Sequence, residues 1–242
     1  MSDQTAKVEE YLVRALLDGT YPPGGTLPGE RELAGRLGVS RRNVQGVVQR
    51  MAKDGWFTTG ERSKTRVNDF WSRGNLAVLN TLAANMDDGP GFVRDLLAVR
   101  RVIAPVYALE AVGRDPLRVV RCLARDLAAE DAEGLAGFDF ELHLTLAGLA
   151  ENRIYPMLLN SFDSLARRAG RLYFSHTACR EASRRFYQRL LTAAAGGDAR
   201  AAGRHTAAAM KESCRLWREI TREEGSACGV GTAGETTRQH TL

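Results

Sequence analysis

Residues 30–56 hold two short amphipathic segments joined by Gly38-Val39, and the second opens on Ser40 followed at once by Arg41 and Arg42. A hydroxyl N-cap behind a tight glycine turn fixes where the second helix starts and which residues occupy its first turn. This is the layout of a helix-turn-helix, whose second helix enters the major groove of duplex DNA by its N-terminal end. The pattern predicts helices over 29–37 and 41–53, the latter closed by Asp54-Gly55. Val44, Val47, Val48 and Met51 recur at three- and four-residue steps and face a core. Arg41, Arg42 and Asn43 fall in the exposed first turn, and Gln45 lies on their side. Arginine forks onto guanine and asparagine onto adenine, while the free N–H groups of a helix start favour phosphate. Arg31, at the start of the preceding helix, is placed for phosphate or base.

The flanking sequence extends the motif. Lys7–Asp18 carries Val8, Leu12, Ala15 and Leu16 at helical spacing, and Tyr21-Pro-Pro-Gly-Gly then breaks the chain. Downstream, 56–59 and 65–68 are rich in aromatic and β-branched residues around the polar loop Gly60-Glu-Arg-Ser-Lys. That is a hairpin signal, and a hairpin after a helix-turn-helix is a wing, with Arg62 and Lys64 at a tip suited to the DNA backbone or minor groove. From Arg31 to Arg66 nine Lys/Arg stand against three Asp/Glu, which slightly exceeds the net charge of +5 of the whole chain. The basic excess is thus local to the motif and selects a polyanion partner.

The fold class is mainly α: a winged helix-turn-helix over 1–67, a linker over 68–75, an all-α bundle over 76–224 and a disordered tail over 225–242. The linker (Asn68 to Asn75) reads as irregular, with Phe70 and Trp71 docking one domain on the other. Beyond it, helices are predicted at about 76–85, 92–112, 116–130, 137–150, 154–173, 180–195 and 198–223, separated by Gly and Pro breakers that include Gly134. Pro105 is expected to kink the second of these. Cys122, Cys179, Cys214 and Cys228 lie far apart and read as reduced thiols. A polar, charged start and the lack of any long apolar run predict a cytoplasmic protein without a membrane span.

Tyr-Pro-Pro-Gly (21–24), Leu-Pro-Gly-Glu-Arg-Glu-Leu-Ala (27–34) and Leu-Gly-Val-Ser-Arg (37–41) resemble the winged-helix signature of the GntR family of bacterial regulators. Lys-Asp-Gly-Trp (53–56), Val-Asn-Asp-Phe-Trp (67–71), Leu-Leu-Ala-Val-Arg (96–100), Gly-Arg-Leu-Tyr-Phe (170–174) and Phe-Tyr-Gln-Arg-Leu (186–190) resemble its fatty-acid-responsive FadR branch over about residues 5–220. The resemblance implies a homodimeric transcription regulator that binds a palindromic operator and is released by long-chain acyl-CoA, with no cofactor. It places DNA contacts at Arg31, Ser40, Arg41, Arg42, Asn43 and Gln45, and effector contacts at Leu96, Leu97, Arg100, Tyr173, Ser213 and Trp217. An acyl chain needs an apolar tunnel and the CoA phosphates need cations, a role open to Arg100. Three positions depart from the branch: Gln45 replaces an arginine, Glu61-Arg62 a His-Gly wing tip, and Met210 a glycine.

Two other chemistries were weighed. Asp139 and His143, one turn apart, form half of the Asp-and-three-His metal site of carboxylate-sensing relatives. The other two ligands fall near Tyr187 and Ala209, neither comparable, with His205 one turn from the second. An acyl-CoA-handling enzyme such as a thioesterase requires a nucleophile paired with a base, and the four histidines (143, 176, 205 and 240) are scattered; no enzyme is expected.

Overall fold

The computed structural model describes residues 3–60, 63–85, 90–125 and 131–228, which fall into two compact units, Met1–Asp87 and Asp88–Leu242. In the first, α1 (Asp3–Leu17), α2 (Glu30–Leu37) and α3 (Arg41–Asp54) precede a hairpin of β1 (Phe57–Gly60) and β2 (Ser63–Val67). Apolar faces at helical spacing meet here: Val8, Leu12 and Leu16 of α1, Leu33 of α2, Val44, Val47 and Met51 of α3, and Trp56 and Phe57 are all buried. Each such side chain contributes about 1.5–3 kcal/mol by leaving water. Gly38, in the left-handed region at φ 65, closes α2 on the Ala34 carbonyl, and two residues later the Ser40 hydroxyl accepts the Asn43 N–H at 3.2 Å. The turn geometry is therefore set locally, by one glycine and one cap.

The hairpin is antiparallel, pairing Phe57 with Val67 and Thr58 with Arg66, with an irregularity between Thr58 and Gly60. Its strands are displaced by one or two residues from the expected runs, and Glu61 and Arg62 lie outside the described residues. The Pro-Pro-Gly-Gly segment does more than break the chain. Gly24 N–H donates to Val67 O (2.8 Å), Val67 N–H to Gly25 O (2.9 Å) and Leu27 N–H to Thr65 O (2.9 Å), so residues 24–27 cover the outer edge of β2. An exposed strand edge is protected by this pairing.

The expected irregular linker contains a helical turn, α4 (Phe70–Arg73), because the Asp69 carboxylate accepts the Trp71 N–H at 3.1 Å. Phe70 stacks on Trp56 of its own unit, 5.0 Å between ring centres, whereas Trp71 is 60% exposed. Phe70 thus belongs to the first unit's core. Helix α5 (Leu76–Asn85) also packs on α1 and α3, through Val78, Leu82 and Ala83, which carries the compact unit on to Asp87.

The second unit is helical throughout its described residues: α6 (Pro90–Arg114), α7 (Pro116–Arg125), α8 (Ala132–Leu149), α9 (Ile154–Asn160), α10 (Asp163–Ser175), α11 (Thr177–Ala195) and α12 (Ala199–Cys228). Pro105 lies inside α6, which continues through it. Gly134 does not separate helices, since the Asp131 carboxylate caps α8 by accepting the Gly134 N–H at 2.7 Å. The single helix expected over 154–173 is two, because Phe162 N–H turns back to Leu159 O at 2.9 Å. Residues 225–228, read as disordered tail, continue α12, and 229–242 lie outside the described residues. Helices α6 and α12 approach closely at Gly203, where an added Cβ would sit 3.2 Å from Pro105 O and Leu109 Cβ.

Gly55 gives the fold its sharpest local test. It adopts φ 105, and a Cβ there would stand 2.3 Å from Arg73 O, while Gly24 shares a positive φ with nothing near. Gly55→Ala is expected to cost well over 1 kcal/mol in urea unfolding, and Gly24→Ala about 1 kcal/mol. Equal losses would show that backbone conformation alone, and not the α4 contact, demands the glycine.

Candidate functional site

Two surfaces collect the residues singled out from the sequence. On the first unit, Arg31, Ser40, Arg41, Arg42 and Gln45 are exposed and Asn43 is half-buried, all at the start of α2 or over the first turns of α3; Lys64 is exposed on β2. Arg41 Nε donates to the Glu30 carboxylate at 3.1 Å, and Asn43 Nδ2 to Gln4 Oε1 at 2.7 Å. Farther along α3, Arg50 is tied to Glu9 of α1 at 2.5 Å. Sequence reading missed Gln4, Glu9 and Glu30 as supports, because the pairings span 11 to 41 residues and leave no local pattern.

In the second unit Leu96, Leu97, Arg100, Tyr173, Ser213 and Trp217 line one cavity, although they come from α6, α10 and α12. Its volume is about 140 Å³, room for roughly ten waters. Phe140, Leu158, Phe162 and Leu165 supply an apolar wall, and Met210 reaches in from α12. A polar cluster stands on α6, α8 and α11. The Arg100 guanidinium donates to Asp139 Oδ2 at 2.6 Å, Tyr187 OH donates to Asp139 Oδ1 at 3.0 Å, and Tyr107 OH meets His143 Nδ1 at 2.7 Å. Above it, Tyr173 OH donates to Ser213 Oγ at 3.3 Å.

Burial would raise the Asp139 carboxyl, but the Arg100 charge, His143 and the bonds from Arg100 and Tyr187 outweigh it and hold the group below its ordinary range. Burial would likewise discharge Arg100, and Asp139 chiefly prevents it. Burial, reinforced by Arg100 and only partly opposed by Asp139, drives His143 down to about 3. His143 is therefore neutral at pH 7, one ring nitrogen carrying its proton and the other accepting. Nε2 stands 3.8 Å from Asp139, beyond hydrogen-bond length. Arg100 Nε, His143 Nε2 and Trp217 Nε1 are buried without a partner. Each unmet donor costs about 1–3 kcal/mol, which a ligand carrying acceptor oxygens would recover.

The side chains considered for CoA phosphates and for a metal are engaged with one another. Arg100 is ion-paired with Asp139. Asp139 and His143, the weak metal candidates, have Arg100, Tyr187 and Tyr107 as partners. The carboxylate is taken by Arg100, Tyr187 and Ala209 stand at the other positions, and His205 lines a separate pocket with Asp198 and Gln188. Among the described residues no group of three His, Cys, Asp or Glu converges. Among the described residues Cys179 and Cys214 are free thiols, and burial pushes Cys179 up to about 11, away from nucleophilic use.

Residues 4–67 match the family described as bacterial regulatory proteins, gntR family, and residues 68–226 match the FadR C-terminal domain. The chain belongs to the GntR family and carries a FadR C-terminal domain. A fatty acid metabolism regulator protein of Shewanella frigidimarina is 41% identical over 184 residues, covering 75% of this chain and 77% of that one. Its counterpart from Shewanella pealeana is 39% identical over the same shares. Among solved structures, Lar of Listeria monocytogenes aligns at a TM-score of 0.59 and 16% identity, over 90% of this chain and 98% of that one, which speaks to the fold. In this GntR-family chain no helix among the described residues is long and apolar enough to cross a membrane.

His143 makes the helical unit sensitive to acid. Below pH 6.5 the unfolded chain takes up a proton at His143 that the folded chain refuses, so stability falls as pH drops from 6.5 towards about 3. Asp139 adds to the loss only lower, as pH falls through its own depressed value. Between pH 6.5 and 5 the histidine contributes about 2 kcal/mol of this slope. Urea unfolding of His143→Asn at the two pH values is expected to remove that part; an unchanged slope would place the acid sensitivity elsewhere.

Proposed function

We propose that this chain is a cytoplasmic regulator of fatty-acid metabolism: a homodimer that binds a palindromic operator through α2, α3 and the wing, and is released by long-chain acyl-CoA held in the cavity of the helical unit. The observation that carries the effector reading is the convergence of Leu96, Leu97, Arg100, Tyr173, Ser213 and Trp217 on one apolar cavity containing unpartnered N–H donors. An apolar wall suits an acyl tail, and the donors suit a thioester carbonyl. Because Asp139 already neutralises Arg100, a neutral carbonyl fits better there than a carboxylate. The names of the Shewanella relatives support fatty-acid metabolism as the controlled process.

The reading surface follows the physics of groove recognition. Arg42 and Gln45 are exposed beside the capped N-terminus of α3, where bases are read and phosphate is favoured. Arg31 and Lys64 flank them with phosphate-seeking charge, and Arg62 extends that charge along the sequence of the wing. Glutamine at 45 favours adenine where an arginine would favour guanine, so the operator differs from that of arginine-bearing relatives at one position of each half-site. No catalytic step is assigned to the molecule.

Fluorescence anisotropy on a FadR-type palindrome, with and without oleoyl-CoA and at two salt concentrations, tests the whole reading. Selective, salt-sensitive binding reversed by oleoyl-CoA is expected. Arg42→Ala should weaken binding at least tenfold, on the order of the 1–3 kcal/mol of a lost arginine contact. Selective binding indifferent to oleoyl-CoA would overturn the effector assignment. Met210→Gly should strengthen release by oleoyl-CoA relative to decanoyl-CoA, since a side chain lining the cavity is gone; an unchanged ratio would remove Met210 from the length gauge.

A further inference from the structure

Three buried nitrogens of cavity-lining side chains have no hydrogen-bond partner: Arg100 Nε, Trp217 Nε1 and His143 Nε2. The first two are always donors, and a thioester carbonyl oxygen has two lone pairs to offer them. His143 Nε2 is left over. Tyr107 OH meets Nδ1 at 2.7 Å, so Nε2 is the one polar atom of the neutral ring open to a ligand. Tyr107 against the ring edge and Phe186 stacked at 6.2 Å between centres fix the plane of the imidazole.

An unsubstituted acyl chain has nothing to give this atom. Nε2 stands 3.8 Å from Asp139 Oδ1, and both side chains line the cavity. At that spacing a single oxygen can lie within hydrogen-bond length of both. The neighbours restrict what it carries, because ionised Asp139 only accepts, whereas Nε2 donates or accepts according to tautomer. An oxo group would turn lone pairs onto a carboxylate. A hydroxyl donates to Asp139 in a charge-assisted bond and accepts from Nε2–H, or donates to Nε2 where the other nitrogen holds the proton. Asp139 has capacity for it, since Arg100 and Tyr187 each take one lone pair on a different oxygen. Asp139 is also ion-paired with Arg100 at 2.6 Å, which sets the hydroxyl station next to the donor available to the carbonyl. The two oxygens of the ligand are therefore close along its chain, with one carbon between them.

We infer that the cavity selects a 3-hydroxyacyl thioester, with His143 Nε2 and Asp139 Oδ1 holding the hydroxyl and Arg100 Nε and Trp217 Nε1 the carbonyl. The inference rests on the acyl-CoA reading above and names the class of acyl group within it. Hydration of a 2-enoyl thioester and reduction of a 3-oxoacyl thioester both place an oxygen at this carbon, so either class of reaction supplies the ligand.

Isothermal titration of the full chain with four thioesters of equal chain length tests it: dodecanoyl-CoA, 3-hydroxydodecanoyl-CoA in both enantiomers, 3-oxododecanoyl-CoA and 12-hydroxydodecanoyl-CoA. One enantiomer of the 3-hydroxy ligand should bind at least about tenfold more tightly than the other three compounds, since a site that pairs a hydroxyl discriminates against chains lacking it. His143→Phe keeps a ring against Phe186, removes Nε2, and should bring the ratio of 3-hydroxydodecanoyl-CoA to dodecanoyl-CoA affinity down to about one. A ratio taken on one preparation is not imitated by partial misfolding, and the four-ligand comparison needs no variant. Equal affinity for the 3-hydroxy and unsubstituted chains overturns the inference and leaves the acyl-CoA reading standing. A gain shared equally by the 12-hydroxy chain, or a preference that survives His143→Phe, also overturns it. Binding of none of the four overturns both.

Discussion

The buried ion pair between Arg100 and Asp139 is the contact on which the helical unit turns. Two charges leave water together there, at a desolvation cost that their attraction offsets only because the geometry is close and Tyr187 supplies a further donor to the carboxylate. Everything around it is set by that arrangement. Asp139 keeps Arg100 charged, Arg100 helps keep His143 neutral, and Tyr107 holds the imidazole by a hydrogen bond at Nδ1. Removing either member of the pair would leave an isolated buried charge, worth about 3–5 kcal/mol of lost stability. The cluster ties α6, α8 and α11 to one another along one side of the cavity, so a ligand that displaced any of its hydrogen bonds would be felt by three helices.

Helix α6 serves the cavity and the core from one inward face. Leu96, Leu97 and Arg100 reach the cavity from its first half, and Ala104, Ala108 and Ala111 pack in the core farther along. The division is one of height along a helix of 25 residues. In the first unit the division is by face. The inner face of α3 is valine and methionine, and its N-terminal outer face is the arginines and Gln45, held in place by ties to α1 and α2.

Much of the first unit was legible in the residues alone, because its determinants are local. Ser40 caps the helix it starts, Gly38 and Gly55 sit where φ is positive, and the valines of α3 repeat at the spacing that buries them. The misreadings have local causes too. Gly134 looks like a breaker until Asp131 is seen to cap three residues earlier, and the linker looks irregular until Asp69 is seen to cap a helical turn. Resemblance to the family, not periodicity, brought the six cavity residues forward, since 121 positions separate the first from the last.

By itself the sequence determined where the two helices of the helix-turn-helix start and stop, which face of the second is apolar, that the basic excess sits on them, and that a hairpin follows. These are properties of neighbours along the chain, encoded by caps, glycines and repeats of three and four. Only the tertiary structure showed which partners Asp139 and His143 take. Their spacing fits a metal ligand pair as well as an ion-paired polar cluster, and the partners found are Arg100, Tyr107 and Tyr187, brought to them across 36 to 48 positions of chain. A side chain's partner across a helix bundle is set by packing, and packing is not written at any one place in the sequence.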